Sequence, residues 1–134
     1  MTGIVVSNGE QISLSLLINK ITTAQNLVLK LFQNNYTPTY SDTVSNYTEA
    51  TFTGYSAITL TGASWTVSGS DPATATYAQQ SFASSANQSA QSIYGYYLIR
   101  ATGADLVAAE RFASAITIQY NGDTINITPT INAT

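Results

Sequence analysis

Gln25-Asn26-Leu27-Val28-Leu29-Lys30-Leu31-Phe32-Gln33 places leucines at every second position, with Val28, Lys30 and Phe32 between them. A period of two sends alternate side chains to opposite faces of an extended chain, so the stretch predicts a strand with Leu27, Leu29 and Leu31 on one side. Asn34 and Asn35 stop it, and residues 37–46, opening on Thr37-Pro38-Thr39, read as a long polar connection exposed at the surface. Further on, residues 57–60 and 64–68 predict two short strands around Thr61-Gly62-Ala63, with Trp65 and Val67 on one face. Ser70-Asp71-Pro72 makes the next turn.

The carboxyl-terminal half continues in the same manner. Residues 74–82 predict a strand and 83–92 a turn or bulge. Residues 93–101, dense in Tyr94, Tyr96 and Tyr97, predict a second strand. Thr102-Gly103-Ala104-Asp105 is a hairpin signal before residues 106–113. Asn121-Gly122 between 115–120 and 124–128 predicts a final hairpin with a type I′ turn. Short strands at near-regular turn spacing predict a mostly β fold, an antiparallel β-sandwich or small barrel of about seven or eight strands.

Upstream of the deciding strand the pattern differs. Asn8 can cap a helix, with Gln11 three residues later, and Ile12, Leu16, Leu17 and Ile21 follow at helical spacing. Ile12, Leu14, Leu16 and Ile18 also alternate as in a strand, but Glu10 near the amino end and Lys20 near the carboxyl end suit the helix dipole, so a short helix over residues 7–21 is expected. The chain divides into an amino-terminal arm, residues 1–24, and one β domain, residues 25–134.

Composition narrows the function. Of 134 residues, 44% are hydrophobic and only 8% charged, so the chain should fold and show a polar, largely uncharged surface. The net charge is −3, and the cations Lys20, Lys30, Arg100 and Arg111 form no basic stripe, which argues against nucleic acid as a partner. No apolar run is long enough for a membrane helix, and Met1-Thr2-Gly3-Ile4 lacks the form of a secretory signal. A cytoplasmic origin and no membrane partner are therefore expected.

The chain has no His and no Cys, which removes the commonest general base and the thiolate nucleophile. Asp42 with Glu49, or Asp105 with Glu110, are the only pairs to weigh as glycosidase carboxylates. Asp105 is better explained as a turn residue and Glu110 as the ion-pair partner of Arg111. No enzyme, metal or cofactor is expected. What stands out instead is apolar excess in the arm, in Ile4, Val5 and Val6 and again in Leu14, Leu17 and Ile18, too much for one short element to bury. These six, with Tyr36 and Tyr40 in the polar connection, are the candidate interface residues; the two tyrosines suit either a protein interface or stacking on a sugar.

Longer runs carry a resemblance. Leu29-Lys30-Leu31-Phe32-Gln33-Asn34-Asn35 leads to Thr37-Pro38, Asp42-Thr43, Tyr47-Thr48-Glu49-Ala50 and Gly54-Tyr55-Ser56-Ala57. Trp65, Tyr77-Ala78-Gln79-Gln80-Ser81-Phe82, Tyr94-Gly95-Tyr96-Tyr97, Ala109-Glu110-Arg111-Phe112 and Ile127-Thr128-Pro129-Thr130 follow in order. From Gly9 onward this succession resembles small virion structural proteins of tailed bacteriophages. The resemblance implies a capsid decoration, or cement, protein located in the virion, with the major capsid protein or other virion proteins as partners. A homo-oligomer, taken as a trimer, is expected with it. A tail-associated or surface-exposed receptor- or glycan-binding module is the alternative. It implies no catalytic residues.

Overall fold

Leu29 and Leu31 are fully buried on one side of their strand, and Phe32 is fully buried on the other. That burial on both sides sets the architecture. In the computed structural model, which describes residues 3–18 and 24–133, the strand (β2, Leu27–Phe32) lies inside a five-stranded antiparallel sheet. Its neighbours are β7 (Gln91–Arg100), in register from Leu27 opposite Arg100 to Phe32 opposite Gly95, and β3 (Ile58–Leu60). Beyond β7 come the long β8 (Leu106–Ile118) and then β1 (Ile4–Val5), which pairs with β8 at Ala108 and Ala109.

Two smaller antiparallel sheets complete the molecule. One holds β4 (Thr66–Ser68), β5 (Thr74–Thr76) and β10 (Thr130–Asn132); the other pairs β6 (Gln80–Ala83) with β9 (Thr124–Ile127). One helix, α1 (Ser7–Leu17), stands between β1 and β2 in chain order. The result is a mostly β, sandwich-like fold that does not close into a barrel, with ten strands among the described residues.

The main core lies between the five-stranded sheet and the smaller ones. Leu29, Leu31, Leu60, Ile93 and Leu98 meet Phe82, Ile125 and Ile127 there, with Phe52 from the segment after β2. On the opposite face of the large sheet a second, aromatic core joins Phe32, Tyr47, Tyr97, Ile99, Leu106 and Val6. Tyr47 stacks on Tyr97 with ring centroids 5.1 Å apart and meets Phe32 edge-on. By alternation β7, like β2, feeds both cores, and its register on β8 jumps from Ile93–Ile116 to Gly95–Arg111, with the extra residues on β8. The jump breaks the period of two, so Ile93 and Tyr96 share the first core while Tyr94 and Tyr97 face the second.

Several expectations from sequence are corrected by this arrangement. Residues 74–82 form two strands, because β5 joins the three-stranded sheet and β6 the pair with β9. Residues 106–118 form one strand, its irregularity taken up by the bulge opposite Tyr94. Asn121-Gly122 is not a hairpin turn: β8 pairs with β7 and β9 with β6, so the turn carries the chain from one sheet to another. Only Gly122 has positive φ, +92°, and Asp123 N–H donates to Tyr120 O, a type II pattern rather than type I′. Asp123 then accepts the backbone N–H groups of Gln119 and Tyr120, bonds a hairpin ladder would have claimed.

The connection after β2 is also not a plain surface loop. Asp42 is buried and accepts the Tyr36 hydroxyl at 2.7 Å, the Tyr47 hydroxyl at 2.6 Å, and both the Thr39 hydroxyl (2.6 Å) and backbone N–H (2.9 Å). Burial pushes this carboxyl up, but the hydrogen bonds from Thr39, Tyr47 and Tyr36 outweigh it and hold the group below the ordinary carboxylate range. The loop is thereby wound over the aromatic face of the large sheet.

Candidate interaction surface

The amino-terminal segment begins as part of the fold. β1 adds to the edge of β8, and Val6 is fully buried, its N–H donating to Val107 O at 3.1 Å. The chain then turns directly into α1, with Val6 itself as the cap residue and no side-chain cap. Asn8, the expected cap, lies within the helix and instead donates its side-chain amide to Leu106 O. Val107 sits at a register shift of β8, and Gly9 rests on it; a Cβ at Gly9 would lie 2.5 Å from Val107 O. Only a residue without a side chain lets the first helical turn approach that closely.

Gly9 is the only buried residue of α1, so the helix is held at its first turn, and beyond half-buried Ile12 its leucines stay exposed. Leu14, Leu17 and Ile18 stand at i, i+3 and i+4, one face of the helix, and are 61%, 81% and 68% exposed. Burying such side chains normally contributes about 1.5–3 kcal/mol each, so leaving three of them in water is costly for an isolated chain. The expected continuation of the helix to Ile21, with Lys20, lies outside the described residues.

Beside this face is a cleft of about 690 Å³, between α1 and the three-stranded sheet. Ile12, Leu16, Trp65, Val67, Val107 and Ile131 are among its apolar walls. Val67 of β4 is itself exposed, and the Trp65 ring meets Tyr77 edge-on at 5.2 Å. Its charged residues are Glu10, which accepts the Tyr40 hydroxyl at 2.6 Å, and Arg100, 3.5 Å from Asp105.

The structure thus separates the residues singled out from sequence. Leu14, Leu17 and Ile18 form one exposed stripe, Ile4 is exposed at the sheet edge, Val5 lines the cleft, and Val6 has no free surface because it belongs to the second core. Tyr36 is half-buried: its ring meets Tyr47 edge-on, and its hydroxyl bond to Asp42 raises its pKa. Tyr40 is exposed, but its hydroxyl is held by Glu10, which raises its pKa, and its carbonyl accepts the N–H of Ser7. The tyrosine loop is tied to the start of α1 and does not stand apart as an open platform.

The carboxylates weighed for chemistry have structural partners. Glu49 takes Lys30 at 2.9 Å and the Tyr55 hydroxyl at 3.0 Å, and Asp105 faces Arg100. Glu110 does not pair with Arg111, since neighbours on a strand point to opposite faces. Glu110 accepts the Tyr96 hydroxyl at 2.8 Å, while Arg111 binds Tyr36 O and Asn35 Oδ1 and lies over the Tyr94 ring. Among the described residues no group of three or more acidic side chains is placed to hold a metal, and no helix is long and apolar enough to cross a membrane. Neither the protein-family models nor the curated proteins compared with the chain match it.

The cleft is the feature that sequence reasoning missed. Its walls come from stretches scattered between Val5 and Ala133, and no local pattern joins Ile12 to Ile131. Asp42 carried a faint signal, a carboxylate three residues after Thr39 with a tyrosine on either side at Tyr36 and Tyr47.

Proposed function

We propose that the chain is a structural subunit of a bacteriophage particle, a capsid decoration or cement protein that works by burying apolar surface against protein neighbours. The observation that carries this reading is the uncovered stripe of Leu14, Leu17 and Ile18 beside an apolar cleft, on a chain whose remaining surface is short of charge. Contiguous exposed apolar surface marks interaction sites in folded proteins. The resemblance of the sequence landmarks to tailed-phage virion proteins suggests the class of assembly.

In such a role the chemistry is mass action. A subunit that binds only the assembled shell stabilises it by the free energy of that binding, and many copies multiply the effect. No bond is made or broken. The alternative, a glycan- or receptor-binding module built on Tyr36 and Tyr40, is less well supported, because the Tyr36 hydroxyl is spent on Asp42 and the Tyr40 hydroxyl on Glu10. Co-sedimentation with particles assembled from the phage major capsid protein tests the proposal. Stoichiometric binding that raises the particle melting temperature is expected; absence of binding would overturn it.

A further inference from the structure

The stripe and the cleft share a rim. Leu14 belongs to both: it is the first residue of the exposed stripe and also lines the cleft. A projecting apolar ridge and an apolar hollow therefore lie side by side on the same face of one chain. Placed on opposite faces, they would join copies head to tail into an open chain; placed together, they can be exchanged across a two-fold axis, which closes the assembly at two.

We propose that the partner of this face is a second copy of the chain, each copy laying its Leu14, Leu17 and Ile18 stripe into the other's cleft against Val67 and Trp65. This rests on the reading of the amino-terminal face as a surface that acts by burial in a protein interface.

Area supports this occupant. With Leu14 at 61%, Leu16 at 36%, Leu17 at 81%, Ile18 at 68% and Val67 at 71% exposed, reciprocal docking covers apolar surface on the order of 500 Å² per copy. The pair then buries about 1,000 Å², the size at which a specific protein interface begins. Charge does not oppose docking. Of the cleft's charged groups, Arg100 is paired with Asp105 and Glu10 accepts the Tyr40 hydroxyl, so each keeps a polar partner of its own chain when the cleft is filled.

Sedimentation velocity across a concentration series tests the pairing, with Leu17→Asp altering the ridge and Val67→Asp the hollow. Both positions face solvent in a single chain, so thermal melts of dilute protein should match the parent. The expected result is a dimer that each substitution alone weakens by at least about 100-fold. A protein that stays monomeric up to about 100 µM, a trimer, or a dimer indifferent to Val67→Asp would overturn the inference. Because the chain has no Cys, a mixture of Leu17→Cys and Val67→Cys proteins provides a second test. Oxidation should cross-link the two variants to each other, and cross-linking no better than that of an unrelated exposed pair would count against the exchange. Sedimentation with particles separates this claim from the functional one. A dimer with these properties that ignores capsids upholds the pairing and overturns decoration, whereas a monomer that decorates capsids does the reverse.

Discussion

Gly95 and Gly122 show how differently two glycines can matter. Gly95 lies on β7 beside the register jump with β8, where a Cβ would run into Glu110 O and sit 2.6 Å from the Phe32 ring, both in packed surroundings. Gly122 has positive φ, but nothing stands within 4 Å of its would-be Cβ. Gly95→Ala should therefore cost more than about 3 kcal/mol through overpacking, and Gly122→Ala only about 1 kcal/mol of backbone strain. Equal losses in urea denaturation would contradict the bulge geometry. Glu110 makes a prediction with a sign. Burial raises its pKa, partly offset by the Tyr96 hydroxyl, so the fold favours its protonated form. The stability it contributes is present below the ordinary carboxylate range and lost as pH rises through its folded value. Glu110→Gln should accordingly melt higher than the parent at pH 7, the difference closing in acid; a lower melting temperature at pH 7 would mean that the charge is needed.

Among the elements, the loop after β2 gains its order from one carboxylate. Asp42 binds Tyr36, Thr39 and Tyr47, and Tyr47 in turn fills the aromatic core between Phe32 and Tyr97. Asp42→Asn replaces an acceptor-only group with one that presents an N–H₂ to donors, and should cost about 2–3 kcal/mol at neutral pH. Because the folded carboxyl is held below its ordinary range, its contribution is present at neutral pH and lost as pH falls through that folded value. The gap between parent and variant should shrink in the same window. A variant equal to the parent at pH 7 would mean that the tyrosine hydroxyls are satisfied by water instead.

For the whole molecule, the two cores should melt together, since β2 and β7 contribute side chains to both. The single Trp65 lies at the cleft, against the main core, and reports on the amino-terminal side of the molecule through fluorescence. Far-UV circular dichroism reports on the sheets. The two probes should show one coincident transition in dilute protein. Separate midpoints would mean that the α1 side opens as a unit of its own.

Alternation in residues 25–33 and turn signals at near-regular spacing, such as Thr102-Gly103-Ala104-Asp105, were enough to indicate a mostly β, antiparallel fold, and capping and helical spacing from Asn8 a short amino-terminal helix. Each is a local property, and strand periodicity survives whatever the strand pairs with. The apolar excess of Leu14, Leu17 and Ile18 was legible for the same reason: one short element cannot bury that many aliphatic side chains, and in the fold all three are exposed. The sheet to which each strand belongs was not legible. Asn121-Gly122 specifies that the chain turns, not that the strands on either side then pair, and the register jump beside Gly95 reverses the alternation on which face assignments depend. Val6 reads like Val5 in sequence but is core, because its side chain enters the cluster of Phe32, Tyr97, Ile99 and Leu106. The cleft exists where segments distant in sequence meet, so tertiary structure alone decided that the exposed ridge has a hollow beside it.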